Sequence, residues 1–70
     1  MEGATRLTIR RMRQGMTQRA LAKKIGIHPY VLCGIERRKL TASPERRAAI
    51  LAVLGGSEAV FFEPSGLARQ

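Results

Sequence analysis

The chain has 70 residues, which is enough for one small domain and leaves little room for a shielded catalytic pocket. Thirteen Lys and Arg residues face five Asp and Glu residues, giving a formal net charge of +8. Such a one-sided excess predicts a polyanionic partner. Nucleic acid is favoured over a membrane surface, because no stretch reads as a long, strongly amphipathic basic helix.

The hydrophobic share of 44% is ordinary for a globular domain and too high for a disordered chain. No apolar run approaches the roughly 20 residues that a membrane-spanning helix needs. The single cysteine excludes an internal disulfide and a multi-cysteine zinc site. We therefore expect a soluble cytoplasmic protein that is not an enzyme and that binds no metal or cofactor.

Helix-breaking residues divide the chain into five predicted helices, and no alternating β-branched run predicts a strand. The first helix covers about residues 6–13 and is ended by Gly15. Thr17 has the chemistry to cap a second helix over residues 18–25. Gly26 is then a natural left-handed stop.

A third helix over about residues 29–37 opens at His28-Pro29, because proline is favoured at the first helical position. His28 is interpreted as a cap or surface residue, since it has no partner at metal-ligand spacing. Ser43-Pro44-Glu45 combines a capping hydroxyl, a first-turn proline and an acid that favours the helix dipole. It therefore predicts the start of a fourth helix.

The fourth helix is predicted to end at Gly55, and Ser57 can cap a short fifth helix that ends near Phe62. Pro64-Ser65-Gly66 then breaks the chain. We expect a single domain over residues 1–70, ordered over about residues 5–63, with a loose C-terminal tail over residues 64–70.

The segment from residue 17 to residue 36 describes two short helices joined by a tight turn at Gly26. Ala22 is small where the two helices must cross closely, and Ile27 is apolar in the turn between them. Leu32 and Ile35 can hold the second helix on the first. Such a pair projects its outer helix toward a major groove, which is wide enough to accept one.

Residues along most of the chain match one known family in order and in spacing. They are Arg11, Gly15-Met16-Thr17-Gln18, Leu21-Ala22, Ile25-Gly26-Ile27, Leu32, Ile35-Glu36 and Leu54-Gly55. On these positions the chain resembles the lambdoid phage repressor and Cro family, also called the XRE family, over about residues 6–62. The resemblance implies an all-α, five-helix, lambda-repressor-like DNA-binding domain with a central helix-turn-helix.

The resemblance also implies a function and the role of individual residues. The expected function is a DNA-binding transcriptional regulator that places the helix over residues 29–37 in the major groove of double-stranded DNA. Gln18 matches a position that hydrogen-bonds a backbone phosphate. Residues on the DNA side of the third helix are Pro29, Tyr30, Cys33 and Gly34. Cations expected to meet phosphates are Arg37, Arg38 and Lys39, with Arg6, Arg10 and Arg13 adding contacts from the first helix.

Arg11 and Glu36 match a structural ion pair that ties the first helix to the third in the family, and we expect the pair to be largely buried. Arg38 stands where the family usually has a helix-ending glycine. Gly34 lies inside the third helix, where glycine costs about 1 kcal/mol relative to alanine. A close packing contact or a close backbone approach would explain that glycine.

The expected base-facing positions lack the bidentate side chains that usually read bases, which are Arg for guanine and Asn or Gln for adenine. Tyr30 can donate one hydrogen bond or lie against a thymine methyl group. Cys33 is interpreted as a small packed or half-exposed thiol rather than a redox switch. Two explanations remain: weak specificity, or recognition through DNA shape and deformability.

Phe61 and Phe62 offer a second hypothesis. Adjacent residues on a helix point about 100° apart, so we expect one ring in the core and the other exposed. An exposed ring could form a homodimer contact or bind a protein partner. The alternative function is therefore an antitoxin or adaptor, a protein-interaction module on the same fold.

Overall fold

The structure, a computed structural model, describes residues 4–70. Five helices follow one another along the chain: α1 (Arg6–Arg13), α2 (Gln18–Ile25), α3 (Pro29–Glu36), α4 (Pro44–Leu54) and α5 (Glu58–Phe61). Within that described part, the β structure is limited to one isolated bridge. The expectation of an all-α, five-helix domain is confirmed. No helix of residues 4–70 is long and apolar enough to cross a membrane.

Helices α1 to α4 begin where a side chain satisfies an unpaired N–H group of the first turn, whereas Ser57, expected to cap α5, makes no such side-chain hydrogen bond. The hydroxyl of Thr17 accepts a hydrogen bond from Ala20 N at 3.0 Å, and Thr5 and Ser43 cap α1 and α4 in the same way. At α3 the imidazole does this, since His28 Nδ1 accepts from Tyr30 N at 3.0 Å. These local bonds explain why the starts of the helices could be predicted from the sequence.

The core is aliphatic, with two aromatic rings at one end. It takes Leu21 and Ala22 from α2, which packs against both α3 and α4. The other buried apolar residues are Leu7, Leu32, Ile35, Ala42, Ile50, Leu54, Phe61, Phe62 and Ala68. This arrangement leaves the outer side of α3 facing solvent, which is the side that matters for function.

The tail expected to be loose over residues 64–70 is instead packed against the domain. Ala68 is fully buried and pairs with Phe62 through the antiparallel bridge. The backbone N–H of Arg69 donates to Phe61 O at 2.8 Å. The polar, breaker-rich sequence that suggested disorder forms a turn that returns the chain to the core.

Two further backbone hydrogen bonds fasten this tail to distant parts of the chain. Arg6 N, at the start of α1, donates to Arg69 O at 3.0 Å. Ala42 N, just before α4, donates to Gly66 O at 2.9 Å. The tail is therefore a structural element of the domain.

The two phenylalanine rings also differ from expectation, because both are buried: Phe61 is 4% exposed and Phe62 is 2% exposed. Side chains of adjacent residues point about 100° apart only where both residues are helical. However, α5 ends at Phe61, and Phe62 has an extended backbone with φ −132° and ψ 145°. Neither ring is available for the homodimer contact that the sequence suggested.

A glycine substitution tests the packed tail. Gly66 has φ +96°, and a Cβ atom there would lie 2.7 Å from Ala42 O and 2.8 Å from Arg47 Nη1. Gly15 also has a positive φ, of +71°, but a Cβ atom there would meet nothing within 4 Å. We expect Gly15→Ala to cost about 1 kcal/mol of unfolding free energy and Gly66→Ala about 3 kcal/mol, as measured by urea denaturation. A loose tail would instead make Gly66→Ala the milder change.

Candidate nucleic-acid interface

The relation between α2 and α3 is set by a tight turn and by apolar packing. Gly26 adopts the left-handed conformation at φ 76° and ends α2. Ile27 N then donates to Ala22 O at 3.0 Å, which closes the turn. On the inner side of α3, Leu32 and Ile35 are fully buried. The inner side of α3 is thus fixed on the core, and its outer side is presented to solvent.

The outer side of α3 carries Tyr30, Cys33, Gly34 and Arg37, which follow the i, i+3, i+4, i+7 spacing of one helix face. Tyr30 is 78% exposed, and Arg37, directly after the helix, is also exposed. An α-helix with its side chains is about 10–12 Å in diameter, which the major groove of DNA, about 12 Å wide, can accept. The dimensions and the orientation of α3 therefore suit insertion into that groove.

A concavity of about 280 Å³ lies on this outer side. Its lining residues are Tyr30, Cys33, Gly34, Arg37, Lys39 and Leu40. The chain that follows α3 returns against position 34, which explains why this position is a glycine. A Cβ atom at position 34 would lie 2.6 Å from Leu40 Cδ1, and Leu40 N donates to Gly34 O at 3.1 Å. No pattern in the sequence indicates that Leu40 belongs to this surface.

Beneath α3, a buried ion pair links the first three helices. Arg11 Nε lies 2.7 Å from Glu36 Oε2, and Arg11 Nη2 donates to Glu36 Oε1 at 3.1 Å. The third guanidinium nitrogen, Nη1, donates to Met16 O at 2.7 Å. Glu36 is 1% exposed and also accepts a hydrogen bond from the Thr8 hydroxyl at 3.0 Å. The carboxylate therefore binds a charged and a neutral donor of α1 together.

Gln18, the expected phosphate ligand at the start of α2, also belongs to this network. Its Nε2 atom donates to Glu36 Oε1 at 3.0 Å. An amide nitrogen carries two N–H groups, so the second remains for another acceptor. The carboxylate of Glu36 thus orients the side chain that we expect to meet DNA.

Arg38 differs from its expected role in phosphate binding. It is the one non-glycine residue of the described chain with positive φ, at 63°, and it occupies the position where the family usually has glycine. Its guanidinium donates to the carboxylate of Glu63 and, at 2.7 Å, to Ala68 O. Arg38 therefore fastens the C-terminal tail and is not part of the candidate interface.

Arg10 also differs from expectation. Its Nη1 atom donates to Leu54 O at 3.3 Å, and its guanidinium carbon lies 5.1 Å from the centre of the Phe61 ring. It lines a concavity together with Arg13 and the same ring. The side chain of Arg10 is thus directed toward α4 and α5, and it does not join the α2–α3 surface.

Basic side chains separate into two groups in residues 4–70. Those that donate to a described carbonyl or carboxylate are Arg6, Arg10, Arg11, Arg38, Arg47 and Arg69. Those for which no such bond occurs within this part of the chain are Arg13, Arg19, Lys23, Lys24, Arg37, Lys39 and Arg46. Apart from Arg13 and Arg46, the second group lies on α2 or directly after α3.

The sequence reasoning missed two of these cations, Arg19 and Lys23. They are exposed, stand four residues apart on α2, and line a groove of about 550 Å³ that also contains His28 and Pro29. Their spacing is the available signal, since residues i and i+4 share a helix face.

Comparison with models of protein families assigns this helix-turn-helix to a family. Residues 7–61 match the family model described as helix-turn-helix, of the XRE type. The chain belongs to the XRE family of helix-turn-helix domains. This is a family of DNA-binding domains, and the match runs from the first turn of α1 to the end of α5. Comparisons with curated proteins and with solved structures returned no match.

The buried ion pair of this XRE domain can be tested by removing its carboxylate. Glu36→Ala leaves the Arg11 guanidinium buried without its charged partner, which typically costs 3–5 kcal/mol. Because small domains have about 5 kcal/mol of stability, we expect the variant to keep only about 0–2 kcal/mol and to show a strongly lowered denaturation midpoint by circular dichroism. Glu58→Ala is the control, since Glu58 pairs with Arg47 but its side chain is 56% exposed. It should lose less than about 1 kcal/mol. A Glu36→Ala midpoint near that of the wild type would contradict the structural role.

Proposed function

We propose that this domain is a transcriptional regulator that binds double-stranded DNA with α3 in the major groove. The observation that carries the proposal is the distribution of the basic side chains. The cations that have no carboxylate or carbonyl partner in residues 4–70 concentrate on α2 and directly after α3. A domain that needed its +8 charge only for solubility would not require such a concentration.

The arrangement suits a duplex because the cations flank both ends of α3. Arg37 and Lys39 follow its C-terminal end, and Arg19 and Lys23 line the groove beside its first residue, Pro29. With α3 in the major groove, these two groups would meet phosphates on either side of it. Phosphate contacts fix the position of a protein on DNA without reading its sequence.

The ion-pair network supplies the rigidity that such docking needs. Glu36 ends α3 and binds Arg11 of α1, so the angle of α3 to the rest of the domain is fixed from inside. The same carboxylate holds the amide of Gln18 at the start of α2. We propose that the second N–H of this amide donates to a phosphate, assisted by the partial positive charge of the helix N-terminus.

The antitoxin or adaptor hypothesis has less support. It relied on the weak base-reading surface and on an exposed phenylalanine, and both Phe61 and Phe62 are buried. Binding to paired half-sites as a homodimer remains part of our proposal. Its contact must use other side chains, and the exposed Met12 on α1 and Val60 on α5 are candidates.

The proposal is tested by measuring affinity for random-sequence duplex DNA over a series of salt concentrations. Each phosphate contact contributes about 0.9 to the slope of log K against log salt. We therefore expect Arg37→Ala to reduce that slope by about 1 and to weaken binding to all sequences similarly. Arg46→Ala is the matched control, because Arg46 is an exposed arginine on α4 for which no DNA contact is expected. It should leave the slope unchanged.

Two results would count against the proposal. Wild-type protein without salt-dependent affinity for any duplex would exclude the regulator and turn the search to a protein partner. Equal effects of Arg37→Ala and Arg46→Ala would place the DNA on a different surface.

A further inference from the structure

The outer side of α3 poses a chemical problem for a DNA-binding domain. Among the residues that line its concavity, the side chains that can bind guanine are Arg37 and Lys39, which both lie after the last residue of α3. The residues nearer the middle of the helix are Cys33 and Gly34, which offer almost no hydrogen-bonding capacity. If the domain distinguishes base sequences directly, this surface must recognise something other than donors and acceptors.

Four of the residues that line the concavity are apolar or nearly so. They are Tyr30, Cys33, Gly34 and Leu40, and we call these four residues the apolar cup. Tyr30 is 78% exposed and Leu40 is 42% exposed, so both rank among the large apolar side chains that the fold leaves in solvent. Apolar surface in a concavity makes a favourable contribution to the free energy of binding when an apolar group of matching shape covers it.

The shape of the cup depends on Gly34 and on the turn that follows α3. Lys39 N and Leu40 N both donate to Gly34 O, at 2.9 Å and 3.1 Å, and so bring the chain back against Gly34. Leu40 can then lie where a Cβ atom at position 34 would be 2.6 Å from it. The absence of a side chain at position 34 thus lets a leucine from outside the helix form the wall of the cup.

The major groove of DNA offers one apolar group, the C5-methyl group of thymine. The other groups at base edges there are hydrogen-bond donors and acceptors. Covering one of them with the apolar cup would leave it unpaired and would cost free energy. The cup therefore favours thymine through contact and disfavours the other bases through desolvation.

We propose that the apolar cup of Tyr30, Cys33, Gly34 and Leu40 binds thymine methyl groups and provides direct base recognition by this domain. This inference rests on the proposed binding of double-stranded DNA. The exposed cations Arg37 and Lys39 line the same concavity, where they would hold the flanking phosphates. The methyl group enters between them.

The test uses the duplex that wild-type protein selects most strongly from a random pool. Each thymine of that duplex is replaced in turn by deoxyuridine, which removes the methyl group and keeps the base pairing. We expect one or two positions at which affinity falls about fourfold, the value of one buried methyl group, and other positions at which it does not change. The fall should occur at every salt concentration, since no charge is altered.

Variants of the cup provide the matched comparison. Leu40→Ala should reduce the fourfold difference between thymine and deoxyuridine to less than about twofold, because the wall of the cup is lost. Ile9→Ala removes a similarly exposed apolar side chain, 41% exposed on α1, and should leave the difference intact. Thermal denaturation by circular dichroism checks that both variants fold. If Leu40→Ala does not fold, the deoxyuridine series with wild-type protein still tests the proposal.

The outcomes separate this inference from the proposed function. Salt-dependent binding together with no effect of deoxyuridine at any position would overturn the apolar cup and leave DNA binding intact, with shape as the basis of specificity. A selected duplex without thymine, or an unchanged fourfold difference in folded Leu40→Ala, would also overturn it. Failure to bind any duplex would instead reject the proposed function itself.

Discussion

The buried carboxylate of Glu36 is the constraint on which the rest of the domain depends. Donors from α1 and α2 reach its two oxygen atoms, and the Thr5 hydroxyl binds the backbone carbonyl of the same residue at 2.8 Å. Among residues 4–70, no buried side-chain nitrogen or oxygen atom is left without a hydrogen bond. Because an unpaired charge at this depth would be severely destabilising, α1, α2 and α3 cannot move independently. The rigid presentation of α3 is a result of this one network.

Much of the fold could be predicted because it is specified by short-range signals. The caps at Thr17 and Ser43 and the left-handed stop at Gly26 act within a few residues of themselves, and the helices begin and end beside them. The third helix was expected to include residue 37, and it ends at Glu36, with Arg37 as its C-cap. The relation between α2 and α3 also followed from small and apolar residues at helical spacing.

The structure differs from the expectations based on the sequence where a residue has its partner far along the chain. The guanidinium groups of Arg10 and Arg38 donate to carbonyl oxygens 44 and 30 residues away, and a backbone carbonyl leaves no trace in a sequence pattern. Burial of Phe62 depends in the same way on the returning tail. In the candidate interface, α3 itself could be predicted, whereas Leu40 could not, because it reaches the surface through a turn that closes on a glycine carbonyl.

The hydrogen bond from Arg6 N to Arg69 O has a consequence for how the domain opens. Chain termini usually fray first, and their amide protons then exchange rapidly with solvent. Here the two ends hold each other across almost the whole sequence, so releasing either one also uncovers Ala68 and the ring of Phe62. Local opening at the ends is thereby coupled to loss of the core. The domain should unfold as one cooperative unit, with the amides of Arg6 and Arg69 among those protected from exchange.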